Sequence, residues 1–167
     1  MPTTTRTLLA AAISVLIANQ AHALSESRQE QTGTDNYADA MQQGGEDNAI
    51  RQVQQGDANV AFTTQEGWAL NADSDQRGTG NVSTIEQAGP NTEANVVQDG
   101  SYNLATVLQV SSEVGHSASI SQIGVSNLAT IEQLDGADNH AAIQQDGGSN
   151  AIELSQVGAG SRYDRVQ

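Results

Sequence analysis

The side chains of this sequence that could act as bases, nucleophiles or metal ligands share no regular spacing. His116 and His140 have dissimilar neighbours, and the numerous serines have no histidine and acid at a repeating distance. Gly44-Gly45 is not followed by the Lys-Ser/Thr of a phosphate-binding loop, and the chain has no cysteine. The sequence therefore predicts no catalytic site, no metal site and no cofactor.

Amide side chains, in contrast, recur at one fixed spacing along the chain. Asn139-His-Ala-Ala-Ile143-Gln-Gln145-Asp-Gly147 shows the unit, which is about eleven residues long and begins again at Asn150. A buried amide must be hydrogen-bonded, and identical amides stacked strand upon strand can bond to one another as ladders. The predicted ladder amides are Asn36, Gln42, Asn48, Gln54, Asn59, Gln65, Asn81, Gln87, Gln98, Asn103, Gln109, Gln122, Asn127, Gln133, Asn139, Gln145, Asn150, Gln156 and Gln167.

Positions 1, 3, 5 and 7 of the unit alternate along the chain, so they share one face of a strand. Positions 3 and 5 are small or aliphatic, which predicts that this face points inward. The predicted inward apolar residues are Ala105, Val107, Ala118, Ile120, Ala129, Ile131, Ala141, Ile143, Ile152 and Leu154.

Position 9 is usually glycine, which indicates a tight turn after each strand. The predicted turn glycines are Gly33, Gly44, Gly56, Gly67, Gly89, Gly100, Gly124, Gly147 and Gly158.

The acidic residues test this assignment, because burying a lone carboxylate is costly. Almost all of them fall at outward positions or in turns. The exceptions are Asp73 and Asp75, because the unit that starts at Asn71 is one residue short and places both acids on the inward face. We therefore expect a bulge or an everted loop in this unit, and least order between Asn71 and Gly80.

Repeats this short predict a stacked architecture in which one unit is one strand and one turn. The predicted fold is all-β: a β-solenoid of strand-turn-strand rungs, with two units of about eleven residues per rung and a cross-β arrangement when chains assemble. At about 4.8 Å per rung, six and a half rungs give a stack of about 30 Å.

The N-terminal segment has the pattern of a secretory signal peptide. Arg6 precedes an apolar run from Leu8 to Ala18, and Ala21-His22-Ala23 fits a cleavage site. The run is too short to span a bilayer as a helix, which needs about 20 residues. We assign residues 1–23 to the signal peptide and residues 24–167 to the repeat domain.

Charge excludes further classes of function. The 167 residues contain 20 acids against six basic residues, for a net charge of −14, and removing residues 1–23 takes away Arg6, so the mature charge is −15. Such a chain is not expected to bind nucleic acid or anionic membranes.

The in-phase Asn-x-Ala-x-Ile-x-Gln strands and Gln-x-Gly-x-x-Asn turns resemble those of the curlin family, the subunits of curli, an extracellular bacterial amyloid. The resemblance covers residues 25 to 167. It implies a secreted fibre subunit at the cell surface, partnered by itself or another curlin and by a dedicated outer-membrane channel and chaperones.

Curlins are of two kinds, a major fibre subunit and a minor nucleating subunit. Asn103-Leu-Ala-Thr-Val107, Ala118-Ser-Ile-Ser-Gln122 and the basic last unit with Arg162 and Arg165 resemble the minor kind. Ser25 already starts a unit, whereas a major curlin usually has a Gly-rich leader there.

Two alternatives remain at the level of the sequence. A monomeric secreted solenoid, such as an adhesin or an ice-binding protein, would need capped ends, and neither terminus shows a polar helix or a Pro-rich cap. A carbohydrate-active β-helix enzyme would need clustered carboxylates in a long groove, for which short rungs leave little room.

Overall fold

A computed structural model describes residues 11–18, 25–112 and 115–167 of the chain. The regular structure is strand throughout these residues, as the repeat predicted. The strands are β1 (Ala11–Ala18), β2 (Glu26–Thr32), β3 (Asn36–Gln43), β4 (Ala49–Asp57), β5 (Val60–Trp68), β6 (Asn71–Thr79), β7 (Val82–Pro90), β8 (Glu93–Ser101), β9 (Leu104–Val110), β10 (Ser117–Val125), β11 (Leu128–Leu134), β12 (His140–Gly148), β13 (Ala151–Val157) and β14 (Arg162–Val166).

Alternate strands belong to two parallel sheets, which makes the fold a β-solenoid of about six turns. Sheet A has the order β1-β3-β5-β7-β9-β11-β13, and sheet B has the order β14-β12-β10-β8-β6-β4-β2. Each strand pairs with the strand one full turn away, and equivalent positions of the repeat face one another; Gln122 of β10, for example, is level with Gln98 of β8 and Gln145 of β12. The fold class predicted from the repeat is confirmed.

The core is a single layer between the two sheets. Alternate side chains of the strands from β3 to β13 point inward, and the central ones are mostly alanine, valine and isoleucine, such as Ala118, Ile120, Ala129 and Ile131, each at most 1% exposed. Small side chains let two flat sheets approach closely, so a thin rung excludes water without large aromatic residues.

One prediction about the repeat was wrong. The unit in β6 starts at Leu70 and not at Asn71, because Leu70, Ala72 and Ser74 are the buried side chains. The unit is therefore of full length. β6 pairs with β4 and β8 along its whole length, and it contains no bulge or everted loop.

Asp73 and Asp75 consequently point outward, contrary to the prediction. The Arg51 guanidinium donates to Asp73 at 2.7 Å, and Arg77 donates to Asp75 at 3.2 Å. With this correction, no Asp or Glu of the described residues lies at an inward position. The acids therefore follow the rule that a lone carboxylate is costly to bury, with no exception among these residues.

The two edges of the solenoid, where the chain crosses between sheets, differ in regularity. Each unit that starts in sheet B is eleven residues long, whereas units that start in sheet A vary from eleven to thirteen. The sheet B units start at Ser25, Asn48, Leu70, Thr92, His116 and Asn139, and the following sheet A units start at Asn36, Asn59, Asn81, Asn103, Asn127 and Asn150.

β1 lies inside the predicted signal peptide, and residues 1–10 and 19–23 of that segment are outside the described residues. It forms the edge of sheet A and pairs in parallel with β3, with Ile17 level with Gln42. Cleavage after Ala23 would remove β1 and leave β3 at this edge. No helix of the described residues is long and apolar enough to cross a membrane.

Candidate functional site: the amide ladders

The glutamines at position 7 form two continuous ladders, one in each sheet. Within a ladder, the Nε2 of each glutamine donates to the Oε1 of the glutamine in the next rung toward the C-terminus, over 2.6 to 3.1 Å. The ladder in sheet B is Gln31, Gln54, Gln76, Gln98, Gln122 and Gln145, and the ladder in sheet A is Gln42, Gln65, Gln87, Gln109, Gln133 and Gln156.

The ladder glutamines from Gln42 onward also tie the two sheets together. The second Nε2 hydrogen of Gln76 goes to the main-chain carbonyl of Val60 in sheet A, over 2.9 Å, and that of Gln87 goes to Asn71 in sheet B, over 3.0 Å. The same bond recurs from Gln42 to Gln156 with the carbonyl at position 2 of the preceding unit. The amide group therefore satisfies both donors along two different directions, which a shorter or apolar side chain cannot do.

The asparagines at position 1 form a second type of ladder beside the turns. Asn81 Nδ2 donates to the Gly100 carbonyl in the adjoining arc, and its Oδ1 accepts the backbone N–H of Asn103 in the next rung, at 3.0 and 3.1 Å. In sheet A this pattern is continuous from Asn36 to Asn150. In sheet B, Asn48 and Asn139 make the equivalent bonds, while the intervening position-1 residues are Leu70, Thr92 and His116.

The structure places seventeen of the nineteen predicted ladder amides at buried positions; Asn150 is half-buried and Gln167 is exposed. Gln167 bonds to β12 through its backbone only: its N–H donates to Gln144 and its carbonyl accepts from Asp146. Of the predicted inward apolar residues, Ile152 is half-buried near the end of the stack, and the others are buried. Gln76 also belongs to the ladder: its sequence position gave it the role of the position-7 glutamine one residue early, and it stands at position 7 once the unit starts at Leu70.

The turn glycines allow neighbouring rungs to touch. A Cβ on Gly78 would lie 2.0 Å from the Gly100 carbonyl oxygen, and a Cβ on Gly100 would lie 2.0 Å from that of Gly124. At the arc between β3 and β4 the stacking glycine is Gly45, whereas the predicted Gly44 has only ordinary clearance. Gly158, in the arc after β13, has nothing within 4 Å.

The arcs also require a left-handed backbone conformation at one further position, and no regularly placed glycine in the sequence marks it. The residue just before position 1 has positive φ in each arc whose residues are described except the one ending at Gly115, as at Ala58, Ala69 and Tyr102 with φ of 55°, 55° and 57°. Ala and Tyr adopt the left-handed region at a cost of about 1 kcal/mol each. The stacking of successive arcs imposes this geometry on whatever residue stands there.

His116 is the buried titratable side chain of the described residues. It is 2% exposed at a position-1 site, its Nε2 lies 3.3 Å from the Val110 carbonyl, and its Nδ1 has no partner in the described residues. Burial lowers the pKa of His116, and the Val110 carbonyl and Asp138 offset part of this shift. Among the described residues no group of three His, Cys, Asp or Glu side chains is placed to hold a metal ion.

In the described residues each ladder reaches an open sheet edge at one end, the sheet A ladder at β13 and the sheet B ladder at β2. At one end Gln42 is level with β1, and its buried Oε1 accepts no hydrogen bond from the described residues. At the other end Gln156 Nε2 donates to the carbonyls of His140 and Ser161. In sheet B, β14 pairs with β12, and its inward positions hold Tyr163 and Arg165 in place of small apolar residues.

Comparison with known protein families gives two matches to the curlin-associated repeat, at residues 70–100 and 117–147. The two segments cover β6 to β8 and β10 to β12, and the first begins at Leu70, the start of the corrected unit. Neither the curated proteins nor the solved structures include a match. The matched repeats and the stacked amide ladders agree, and the two matched segments relate this chain to the curlin family, a family of structural proteins of extracellular curli.

Proposed function

We propose that the chain is a structural subunit of curli-type amyloid fibres, which grow by end-to-end stacking of rungs in the biofilm matrix and support cell adhesion. The observation that carries this proposal is the pair of directional glutamine ladders, each of which reaches an open sheet edge at one end, at β13 in sheet A and at β2 in sheet B. Edge strands present unpaired N–H and C=O groups that recruit further strands. An incoming chain would complete the backbone pairing and continue the ladders in the same direction.

Export would prepare one end of the stack for this reaction. If residues 1–23 are a signal peptide, their removal takes β1 away from β3 and uncovers the Gln42 Oε1 as a ladder acceptor. We propose that the mature chain reaches the cell surface through the outer-membrane channel and chaperones of the curlin family. It would then meet further copies of itself or another curlin.

We place the chain with the minor, nucleating subunits rather than with the major subunits. Asn103–Val107, Ala118–Gln122 and the basic last unit support this assignment by their resemblance to the minor kind. The test is to add preformed aggregates of the purified chain to a monomeric major curlin. A shortened lag phase is expected for a nucleator, whereas rapid unseeded growth and no effect on the major curlin would contradict it.

Purified residues 24–167 test the fibre proposal itself. Fibres are expected in neutral buffer, and aligned fibres should diffract at about 4.8 Å along the fibre axis. A chain that stays monomeric for days at high concentration, with well-dispersed NMR spectra, would contradict the proposal and would instead indicate a monomeric secreted solenoid adhesin.

A further inference from the structure

The outer faces of the two sheets differ in chemistry. The outward residues of each sheet A strand form four columns along the stack, named here the first to fourth columns. The first column is Tyr37, Val60, Val82, Leu104, Leu128 and Ala151; the second is Asp39, Phe62, Thr84, Thr106, Thr130 and Glu153; the third is Met41, Thr64, Glu86, Leu108, Glu132 and Ser155; the fourth is Gln43, Glu66, Ala88, Val110, Leu134 and Val157.

The first column is apolar on all six strands from β3 to β13, and the fourth is apolar on the last four. Leu104 and Leu128 are 40% and 42% exposed, which leaves large aliphatic side chains in contact with water. The described residues of this face include carboxylates but no Arg. The outer face of sheet B holds Arg28, Arg51, Arg77 and Arg162 among many acids, so it is a solvated surface.

The sheet A face has the size of a stable interface. Six strands at about 4.8 Å and strands of about 25 Å give a flat area of about 700 Å² per chain. Specific protein interfaces bury about 800 Å² per partner. A face of this size, with exposed apolar columns along both of its margins, indicates a binding face.

We propose that this face is covered by the same face of a second copy, with a two-fold axis along the stack. Such an axis keeps the two stacks parallel and reverses the strand direction across the interface. The first column then lies against the partner's fourth column, and the second column lies against the partner's third. Leu104 and Leu128 pack on the partner's Val110 and the partner's Leu134.

The inner columns are also complementary under this axis. Thr84 and Thr130 lie opposite the partner's Glu86 and the partner's Glu132, so each hydroxyl can donate to a carboxylate. The antiparallel arrangement, with the axis along the strands, would instead place the second column on itself and, with all six strands overlapped, bring Asp39 against the partner's Glu153. Like charges at that distance oppose association, so the charge pattern selects the parallel pair.

The shape of the face supports the same pairing. A depression of about 210 Å³ lies between the third and fourth columns, bounded by Thr64, Glu86, Ala88 and Leu108. It exists because Ala88 is small where the adjacent fourth-column residue is Val110. In the parallel pair the partner's Val82 is opposite Ala88 and enters this depression.

This interface uses the outer face of a sheet and does not rest on end-to-end stacking. It therefore predicts dimers of unassembled chains in solution, and paired stacks wherever chains assemble into fibres. Two-sheet interfaces with interdigitated side chains have the geometry of a steric zipper.

The test compares the chain carrying Leu104→Glu and Leu128→Glu with a control carrying Ser121→Glu and Gln144→Glu on the sheet B face. Each variant gains two acids at outward positions on adjacent rungs of one column, and neither introduced pair has an existing carboxylate beside it in that column. Sedimentation velocity of freshly purified chains should show that the first variant weakens dimerisation by about tenfold or more, and the control should match the parent. The milder Leu104→Thr and Leu128→Thr variant, which adds no charge and places β-branched side chains that favour strands, should fall between them.

Mass per length of fibres in electron micrographs gives a second measurement, and the first variant should halve it. Equal sedimentation of all variants, or equal loss in the control, would overturn the lateral interface. If no protein forms fibres, the proposed fibre function fails, while sedimentation still decides whether the sheet A faces pair.

Discussion

At the residue scale, each ladder glutamine from Gln42 onward makes hydrogen bonds both along the stack and between the two sheets, whereas a folded core usually uses several different groups for such contacts. Gln133 accepts from Gln109 at 2.9 Å, donates to Gln156 at 2.8 Å and donates to the Ser117 carbonyl at 3.1 Å. The first two bonds join rungs, and the third joins the sheets. One side chain therefore fixes both the stacking of rungs and the spacing between sheets.

Gln133→Ala should destabilise the fold by roughly 2–4 kcal/mol, because the buried partners of three hydrogen bonds are left unpaired. Denaturant unfolding measures the effect. The control is Gln144→Ala on the outward face of β12, which should change the free energy of unfolding by less than about 0.5 kcal/mol. Equal effects would show that the ladder bonds contribute nothing beyond ordinary surface contacts.

His116 should make stability depend on pH in the opposite direction to a paired histidine. Burial lowers its pKa in the folded state, so the unfolded chain, with a histidine pKa of about 6.5, binds the proton more readily. The stability from neutral His116 is complete above about pH 6.5 and is lost as pH falls toward the lowered folded pKa.

His116→Asn should remove this dependence, because an asparagine there can accept the N–H of the next rung as Asn48 does from Leu70. The measurement is the free energy of unfolding at pH 7.5 and pH 5. The parent should lose more stability than the variant over this interval. A loss of the same size in both proteins would contradict the assignment.

The amides, the apolar inward residues and most turn glycines could be recognised from spacing alone. The start of the β6 unit could not be recognised in this way. Position 1 is usually asparagine, and Asn71 follows the true start, Leu70, by one residue, so the usual residue type points to the wrong start. Two facts in the sequence supported Leu70: the regular eleven-residue spacing from Asn59 to Asn81, and the cost of burying Asp73 and Asp75.

At the scale of strands, the outward columns keep like charges apart. In-register parallel pairing places equivalent side chains about 4.8 Å apart. In the described strands no two carboxylates occupy adjacent rungs of one outward column; Leu108, for example, separates Glu86 from Glu132. Carboxylates in one column are thus at least two rungs apart, about a Debye length at physiological salt.

Leu108→Glu should create three successive carboxylates and destabilise the stack by about 1 kcal/mol more than Leu108→Gln does at pH 7 and low salt. The neighbours raise the pKa of the introduced carboxyl in the folded state, so the penalty is present above that pKa and is relieved as pH falls through it. Unfolding at pH 7 and pH 4, with and without added salt, measures the difference. A penalty independent of both pH and salt would indicate lost packing instead of repulsion.

Strand and turn alternation followed directly from the period of the repeat, whereas three local features did not. The left-handed residue before position 1 is filled by Ala58 or Tyr102 as readily as by glycine, so composition does not reveal it. β1 lacks the repeat, and its pairing depends on an open sheet edge. β14 keeps its backbone bonds although Tyr163 and Arg165 break the inward pattern.

At the scale of the whole molecule, a substitution at Gly158 should affect the stacking of chains much more than the folding of one chain. A Cβ there meets nothing within 4 Å in one chain, yet in the internal arcs the equivalent Cβ on Gly67 or Gly89 would strike the next rung within about 2 Å. Gly158→Ala should therefore cost the chain only the strain of positive φ, about 1 kcal/mol. It should slow fibre elongation by about tenfold or more, because the next subunit's arc cannot seat.

Gly160→Ala provides the matched control, since Gly160 also has positive φ and open space, and the equivalent positions elsewhere hold Ala58 and Ala69. Seeded elongation followed by thioflavin fluorescence compares the two. Similar rates for both variants would show that stacks do not continue past β13.

The unequal arcs give the two edges of the solenoid different capacities to carry foreign sequence. The edge on which the sheet A units end already accommodates extra residues, as at Gly136 and Ala137, without any shift in the strand pairing of β11 and β12. A guest peptide introduced there would project from the stack and repeat along one side of a fibre at intervals of about 30 Å, the height of one subunit. At the opposite edge all arcs have the same length from the first rung to the last, so that edge has no room for an inserted peptide.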